Sequence, residues 1–201
     1  MATYNTPGVY VEELSLLPPS VAEVSTAVPA FIGYTEKSPQ PGEVIPVAVN
    51  SMREYKDLFG GPDKTKVTKT GDNLEVTQLG NGKYLVYYQV LMFFRNGGSR
   101  CYIVSVGKYD NDLVSTDTLK KGIDALDKAD EPTLVLIPDM INLAPVKKNN
   151  KDTYPAYDLC NDVLQHCSDK KDRFALFDVK YEDKDNFRAQ VTKGLSYGAA
   201  Y

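Results

Sequence analysis

The sequence predicts an α/β fold, with a mainly parallel or mixed sheet covered by helices and an extended N-terminal arm before it. Three observations support this class. From residue 84 onward, stretches with helical spacing of apolar residues alternate with short apolar runs, which is the order of parallel β-α-β units. The run at 101–106 has apolar residues on both faces, as strands do when helices cover both sides of a sheet. The first 20 residues include a β segment with no hairpin partner.

Length and composition fit one domain, or a domain with an appendage. The chain has 201 residues, 42% of them hydrophobic, which is enough to bury a core. We therefore divide it into an extended arm at 1–20 and an α/β core at 21–201. The net charge of −4 argues against a nucleic-acid groove, and Lys64, Lys66 and Lys69 alternate with acidic residues in what we interpret as a solvated loop.

Two features predict a cytoplasmic protein that does not insert into a membrane. No apolar run approaches the roughly 18 to 20 residues that cross a bilayer, and residues 1–5 lack the charged and apolar regions of a signal peptide. The cysteines, Cys101, Cys160 and Cys167, are an odd number in such a chain. We therefore expect reduced thiols in the core and no disulfide.

The arm contains a β segment at Thr6–Glu13 (TPGVYVEE), where β-branched and aromatic residues alternate after a Pro-Gly turn. Pro18 and Pro19 follow; prolines lack N–H donors and fix φ, so the segment cannot fold back directly into a sheet. An unpaired apolar β segment needs another chain to complete its ladder, and strand addition to a neighbour is the natural use. Glu12 and Glu13 either pair with a basic strip on that neighbour or keep an edge strand soluble.

The first part of the core begins with the apolar run within 20–35, which is typical of a strand inside a sheet. Residues 36–46 contain three prolines and a glycine, which predicts a surface loop, and a short strand follows at 44–49. Ser51 and Glu54 form a capping box that begins a helix.

Glycines mark the ends of the predicted helices in the middle of the chain. Gly60-Gly61-Pro62 ends the first helix, and the polar residues 63–82 are predicted to be a variable excursion. A buried helix is predicted at 84–96 from its spacing of apolar residues, and Gly97-Gly98 ends it.

The second part of the core continues the alternation of strands and helices. Leu119, Ile123 and Leu126 share one helical face, and Pro155 suits the first turn of a later helix. After the strand at 101–106, the predicted elements are a helix at 119–128, a strand at 133–137, a loop at 140–153, a helix from 155, a strand at 174–179, a helix at 183–193 and a final strand from 195.

Several segments resemble one known family. TPGVYVEE at 6–13 and PPSVAEVSTAVPAFIGYTEK at 18–37 resemble the N-terminal portion of the tail sheath proteins of contractile phage tails and related contractile injection machines. The similarity extends over nearly the whole chain. Its further segments are 51–55, 59–62, 93–98, 136–139 and 195–201.

The resemblance implies a structural role without catalysis or cofactor. It implies a subunit that forms a helical sheath of six-fold rings around a tail tube protein, bounded by a baseplate and a tail terminator, in a virion tail or an injection particle. The arm would add a strand to a neighbouring subunit and hold the subunits together while they rearrange during contraction. The residues of this intersubunit arm are Thr6, Pro7, Gly8, Val9, Tyr10, Val11, Glu12 and Glu13.

One departure from the family pattern concerns the end of the chain. The family continues with more of the core and a C-terminal segment that receives a neighbour's arm, whereas this sequence ends at Tyr201. We therefore expect either a fragment of a longer protein or a shortened relative with an adapter role.

A small α/β enzyme is the alternative from another class. Asp139 and Asp178 both fall at the carboxyl ends of predicted parallel strands, and ligands of open α/β sheets bind at that edge. No nucleophile or metal-binding motif accompanies them, so we interpret both as turn or helix-capping residues. Gly80-Asn81-Gly82-Lys83 imitates the end of a P-loop but lacks its earlier glycine and its hydroxyl residue, which favours a turn.

Metal and nucleic-acid binding are the weaker interpretations of two other groups. His166 lies beside Cys167 but away from Cys160 on a predicted helix, so the three cannot converge on one metal; we expect a solvated histidine and packed thiols. The tyrosine pairs at 87–88 and at 154 and 157 lack a basic surround, which favours core edges and subunit contacts over base stacking.

Overall fold

The computed structural model describes residues 27–63, 65–70, 73–78, 84–109, 114–143, 145–148 and 151–201. The strands of this part are β1 Pro29–Thr35, β2 Pro46–Val49, β3 Thr65–Thr70, β4 Asn73–Gln78, β5 Cys101–Lys108, β6 Leu134–Leu136, β7 Val146–Lys148, β8 Lys151–Thr153, β9 Phe174–Phe177 and β10 Gly198–Ala200. The α-helices are α1 Met52–Phe59, α2 Val86–Arg95, α3 Thr116–Ala125, α4 Pro155–Lys170 and α5 Lys184–Gln190.

A six-stranded mixed sheet organises the described residues, with the strand order β10-β9-β6-β1-β5-β2. Strand β2 pairs antiparallel with β5, and every other neighbouring pair is parallel. The predicted α/β class, with a mainly parallel or mixed sheet covered by helices, is therefore confirmed.

Helices pack on both faces of this sheet, as the alternation of side chains along β1 shows. Ala30, Ile32 and Tyr34 belong to the apolar cluster of α3 and α4, whereas Phe31 belongs to the cluster of α1 and α2. All seven residues of β1 are buried. A strand that is buried on both faces occupies the centre of the sheet, and its carboxyl end lies where the two helical layers diverge.

The first helix begins and ends as the sequence predicts. The N–H group of Glu54 donates to Ser51 Oγ at 3.2 Å, and Glu54 Oε2 accepts the N–H group of Asn50 at 2.8 Å. The carboxylate therefore bonds one residue before the cap itself. Gly60, with φ of 90°, ends the helix in a conformation that favours glycine.

Two predicted irregular segments contain antiparallel pairs instead. Strands β3 and β4 pair within 63–82, and β7 and β8 pair within 140–153 after a 3-10 turn at Pro138–Asn142. In a two-stranded ribbon the strands bond each other along one edge and water can bond the other, so a ribbon can form without a long run of alternating apolar residues. The sequence signal for a strand is correspondingly short in both segments.

The C-terminal elements are shorter than predicted. Helix α5 ends at Gln190 and the buried Val191 follows it, whereas the sequence predicted a helix to 193. The strand predicted from 195 is a 3-10 turn at Leu195–Tyr197 followed by β10. Gly194, with φ of 53°, reverses the chain where an added Cβ would lie 2.7 Å from the carbonyl oxygen of Leu164, so packing against α4 decides this geometry.

Candidate functional site

Two groups of residues singled out in the sequence lie outside the described residues. They are the arm segment Thr6–Glu13 and the P-loop-like segment Gly80–Lys83. The arm therefore stays a prediction, and the described site is the carboxyl edge of the sheet.

The carboxyl edge has the topology of a ligand site. In open α/β sheets ligands bind outside the carboxyl ends of two adjacent strands whose connections leave toward opposite faces. Strands β1 and β6 are adjacent. The chain after β1 leads to α1 and α2 on one face, and the chain after β6 leads to α4 on the other. The crevice between these strand ends is therefore where a ligand of this fold class would bind.

The side chain of Asp139 fills this crevice. Its Oδ2 accepts the N–H group of Tyr34 at 2.8 Å, at the end of β1. Its Oδ1 accepts the N–H group of Leu85 at 2.6 Å, at the start of α2. Leu85 is the N-cap residue of α2 and makes no side-chain cap of its own. The capping role predicted for Asp139 is thus confirmed, and the helix N terminus that could hold an anionic ligand holds the protein's own carboxyl group.

The carboxyl group of Asp139 has an unusual protonation equilibrium because it is fully buried. Burial raises the pKa of Asp139 to about 7, against the lowering effect of the N–H groups of Tyr34, Leu85 and Val86. Gly33 leaves room for this group, since a Cβ there would lie 2.4 Å from Asp139 Oδ2. Close packing therefore keeps the crevice shut.

Three tyrosine rings pack against one another near the Asp139 carboxyl group. The ring of Tyr84 stacks on Tyr109 with centroids 4.9 Å apart and lies 5.3 Å from the ring of Tyr34. The Tyr34 hydroxyl accepts the N–H group of Ser115 at 3.1 Å. These contacts join β1, the residue after β5 and the segments before α2 and α3, so three tyrosine side chains and one backbone N–H group connect four parts of the chain beside the crevice.

Asp178 has a different environment from Asp139. It is exposed, and its Oδ2 accepts a hydrogen bond from Gln89 Nε2 of α2 at 3.2 Å. The sequence predicted a turn or helix-capping role for Asp178, whereas the described residues show its carboxylate bonded to a side chain of α2. Asp178 lines a cavity of about 240 Å³, which also includes Tyr154, Lys180 and Asp183. The structure thus places the two predicted carboxylates in separate surroundings with separate partners.

The environment of His166 differs from the prediction. Its side chain is 11% exposed, and its Nε2 lies 3.3 Å from Arg173 Nη1. Burial, followed by the positive charge of Arg173, lowers the pKa of His166. The prediction of a solvated histidine is wrong because Arg173, whose guanidinium also donates to the carbonyl oxygen of Leu126 at 3.2 Å, packs beneath this part of α4.

Other predicted features can be located in the described part. Cys101, Cys160 and Cys167 are buried, as predicted. Within the described ranges, no group of three or more histidine, cysteine or acidic residues could hold a metal ion. No helix in those ranges has the length and apolar character needed to cross a membrane.

The tyrosine pairs also contribute to packing. Tyr87 is buried, with its ring 5.5 Å from that of Tyr88, and Tyr154 stacks on Tyr157 at 5.1 Å. The predicted core-edge role is confirmed for these pairs.

Sequence reasoning missed one apolar surface. We define the trough as the open groove between α2 and the strands β1, β6 and β9, with a volume of about 650 Å³. Its apolar lining includes Phe31, Met92, Phe93, Leu134, Leu136 and Leu176. Met92 is 58% exposed, although the spacing of apolar residues predicted a buried helix at 84–96. Only the strand order shows that no helix of the described residues packs beside this face of α2.

No protein-family model and no curated protein matches the chain. Among solved structures, one match is to the anti-feeding prophage (AFP) helical sheath in the contracted state, with 20% identity and a TM-score of 0.45, over 88% of this chain and 40% of that chain. Another is to the AFP baseplate, with 21% identity and a TM-score of 0.50, over 99% of this chain and 46% of that chain.

The coverage, identity and TM-score of these matches limit the similarity to the fold. The chain spans less than half the length of each matched chain. With 21% identity and a TM-score of 0.50, the second match shows a common fold and nothing finer. The chain thus has the fold of a chain in the AFP baseplate, which confirms, at the level of the fold, the resemblance to contractile injection machines that the sequence motifs predict.

Proposed function

We propose that this chain is a structural component of a contractile tail and forms a sheath subunit or part of one. The observation that carries the proposal is the fold that this chain shares, over 99% of its length, with a chain of the AFP baseplate. The crevice filled by Asp139 supports a role that needs no catalysis, because it removes the position where this fold class ordinarily binds a ligand.

The proposed assembly is a helical homo-oligomer of six-fold rings around a tail tube protein, attached to a baseplate and a tail terminator. In it, Thr6–Glu13 adds a strand to the sheet of a neighbouring subunit, with main-chain hydrogen bonds supplying affinity and alternate side chains supplying specificity. Contraction is a rigid-body rearrangement of subunits that stay linked through these arms. Helices pack on both faces of β1, and all of its residues are buried. Such a core suits a body that moves as a unit.

The first experiment is negative-stain electron microscopy of the complete gene product. We expect hollow, ringed tubes. Val11→Pro should reduce their number sharply, because proline removes an N–H donor from the proposed intersubunit ladder. Thr3→Pro is the matched control, since it introduces the same residue into the arm outside the β segment and should leave the tubes intact.

Two outcomes would contradict this proposal. Featureless monomers at high concentration would argue against a sheath subunit. Tubes that form equally well with Val11→Pro would show that residues 6–13 do not pair as a strand between subunits.

The cavity beside Asp178 provides a test of the enzyme alternative. Titration of the protein with Mg²⁺ should leave the wild type and Asp178→Asn indistinguishable. Asp178 is paired with Gln89, and Asp183 is the other carboxylate among the described lining residues, whereas Mg²⁺ prefers several oxygen ligands. Saturable binding that Asp178→Asn abolishes would favour an enzyme.

A further inference from the structure

The trough is an apolar surface that the described residues leave uncovered. On its face of the sheet, α1 and α2 pack over β2, β5 and β1. The connections from β6 to β9 and from β9 to β10 run through α4 and α5, which pack together on the opposite face. Leu134, Leu136 and Leu176 are therefore only half-buried. Contiguous apolar surface of this kind commonly marks a binding site.

The described chain begins at the mouth of this trough. Ala27 lines it. The next residue is fixed beside β6, because the N–H group of Val28 donates to Thr133 Oγ1 at 3.0 Å and its carbonyl oxygen accepts the N–H group of Leu134 at 3.2 Å. Twenty-six residues precede Ala27, so the chain enters the described structure at the lining of an apolar groove that the described residues leave open.

The length and charge of the preceding segment match the trough. Nine residues separate Leu17 from Ala27, and such a segment reaches at most about 30 Å. The residues of β1 that line the trough are Pro29 and Phe31, two and four positions after Ala27, so a segment of this reach can turn back from Ala27 and cover them. The stretch Leu14–Ala22 contains no charged residue and includes three leucines, and no residue among those that line the trough in the described part is charged.

We propose that the trough is the seat of the leucine segment Leu14–Leu17 of the same chain. A tethered segment of this length has an effective concentration near its seat on the order of millimolar, which favours its own trough over that of a second copy. Burial of apolar side chains against Met92, Leu134 and Leu176 provides the driving force. Seated in this way, the leucines anchor the base of the arm and leave residues 6–13 available to another partner.

A single tryptophan provides the test, because the natural chain has none. In Leu16→Trp we expect a blue-shifted emission and protection from acrylamide quenching. Addition of Met92→Lys should abolish both, because a lysine on the trough wall opposes apolar burial. Ser99→Lys is the matched control: it adds the same charge just beyond α2 at an exposed position outside the trough lining and should leave the emission unchanged. Circular dichroism verifies that all variants are folded.

Three results would overturn the inference. One is emission typical of exposed tryptophan in Leu16→Trp, and another is a blue shift that persists with Met92→Lys. The third is a blue shift that disappears on dilution, which would assign the trough to a second copy. The readout needs only single chains in solution, so it succeeds or fails independently of tube formation.

Discussion

Replacement of Asp139 by asparagine should destabilise the protein most at low pH. In the wild type both carboxyl oxygens accept backbone N–H groups, those of Tyr34 and Leu85. An asparagine side chain offers one acceptor oxygen and directs its own N–H donors at the other backbone donor. A buried donor left without a partner costs about 1 to 3 kcal/mol, so we expect a loss of that size at pH 5, where the wild-type carboxyl group is protonated.

The pH dependence of the difference follows from the raised pKa. Asp139 has a pKa of about 7 in the folded chain and about 3.9 when unfolded. Between these values the folded chain binds a proton that the unfolded chain releases, so this group's stabilising contribution is complete below pH 3.9 and is lost as the pH rises through 7. The slope is at most about 1.4 kcal/mol per pH unit. Because asparagine does not titrate, the stability gap between wild type and variant should narrow from pH 5 to pH 8.

Urea unfolding at a series of pH values measures this gap. The difference in unfolding free energy between wild type and variant removes contributions that both proteins share. One of these is that of His166, which has the opposite pH dependence: because its pKa is lowered, its contribution to stability falls as the pH decreases. Asp178→Asn, an exposed change, is the control and should stay within about 0.5 kcal/mol of wild type throughout. A gap that is constant or that widens with pH would refute the reasoning, because it would mean that the N–H donors keep Asp139 ionised.

Three further predictions concern the packing of the core. In NMR spectra the single histidine, His166, should titrate below its ordinary pKa of about 6.5, since burial and Arg173 lower its pKa; a midpoint at or above that value would contradict the packing described. Gly33→Ala should cost about 1 to 3 kcal/mol in urea unfolding, because its Cβ would lie 2.4 Å from a carboxyl oxygen, whereas in Gly61→Ala the nearest contact is 3.6 Å and little should change. The three cysteines should react with a thiol reagent at pH 8 only after unfolding, since burial raises their thiol pKa values; rapid reaction of the native protein would show that the core opens.

The carboxyl edge illustrates how far sequence reasoning reaches. The end of a predicted strand at Pro138-Asp139 indicated a capping residue, and the prediction is confirmed for Asp139. The sequence did not indicate which helix it caps, because Leu85 is 54 positions away. For His166 the sequence predicted the helix correctly but not the burial of the side chain, because that burial depends on Arg173 in the following loop.

Patterns of nearby residues determined which segments of the chain form the main strands and helices, because backbone hydrogen bonding and apolar periodicity act within a few residues. They also determined the start of α1 at Ser51 and the α/β class. Tertiary structure alone decided the strand order, since pairing between β1 and β6 joins segments about a hundred residues apart and depends on how both helical layers pack. The filled crevice at Asp139 and the open trough beside Met92 are consequences of that order, because each is bounded by side chains that only the assembled sheet brings together.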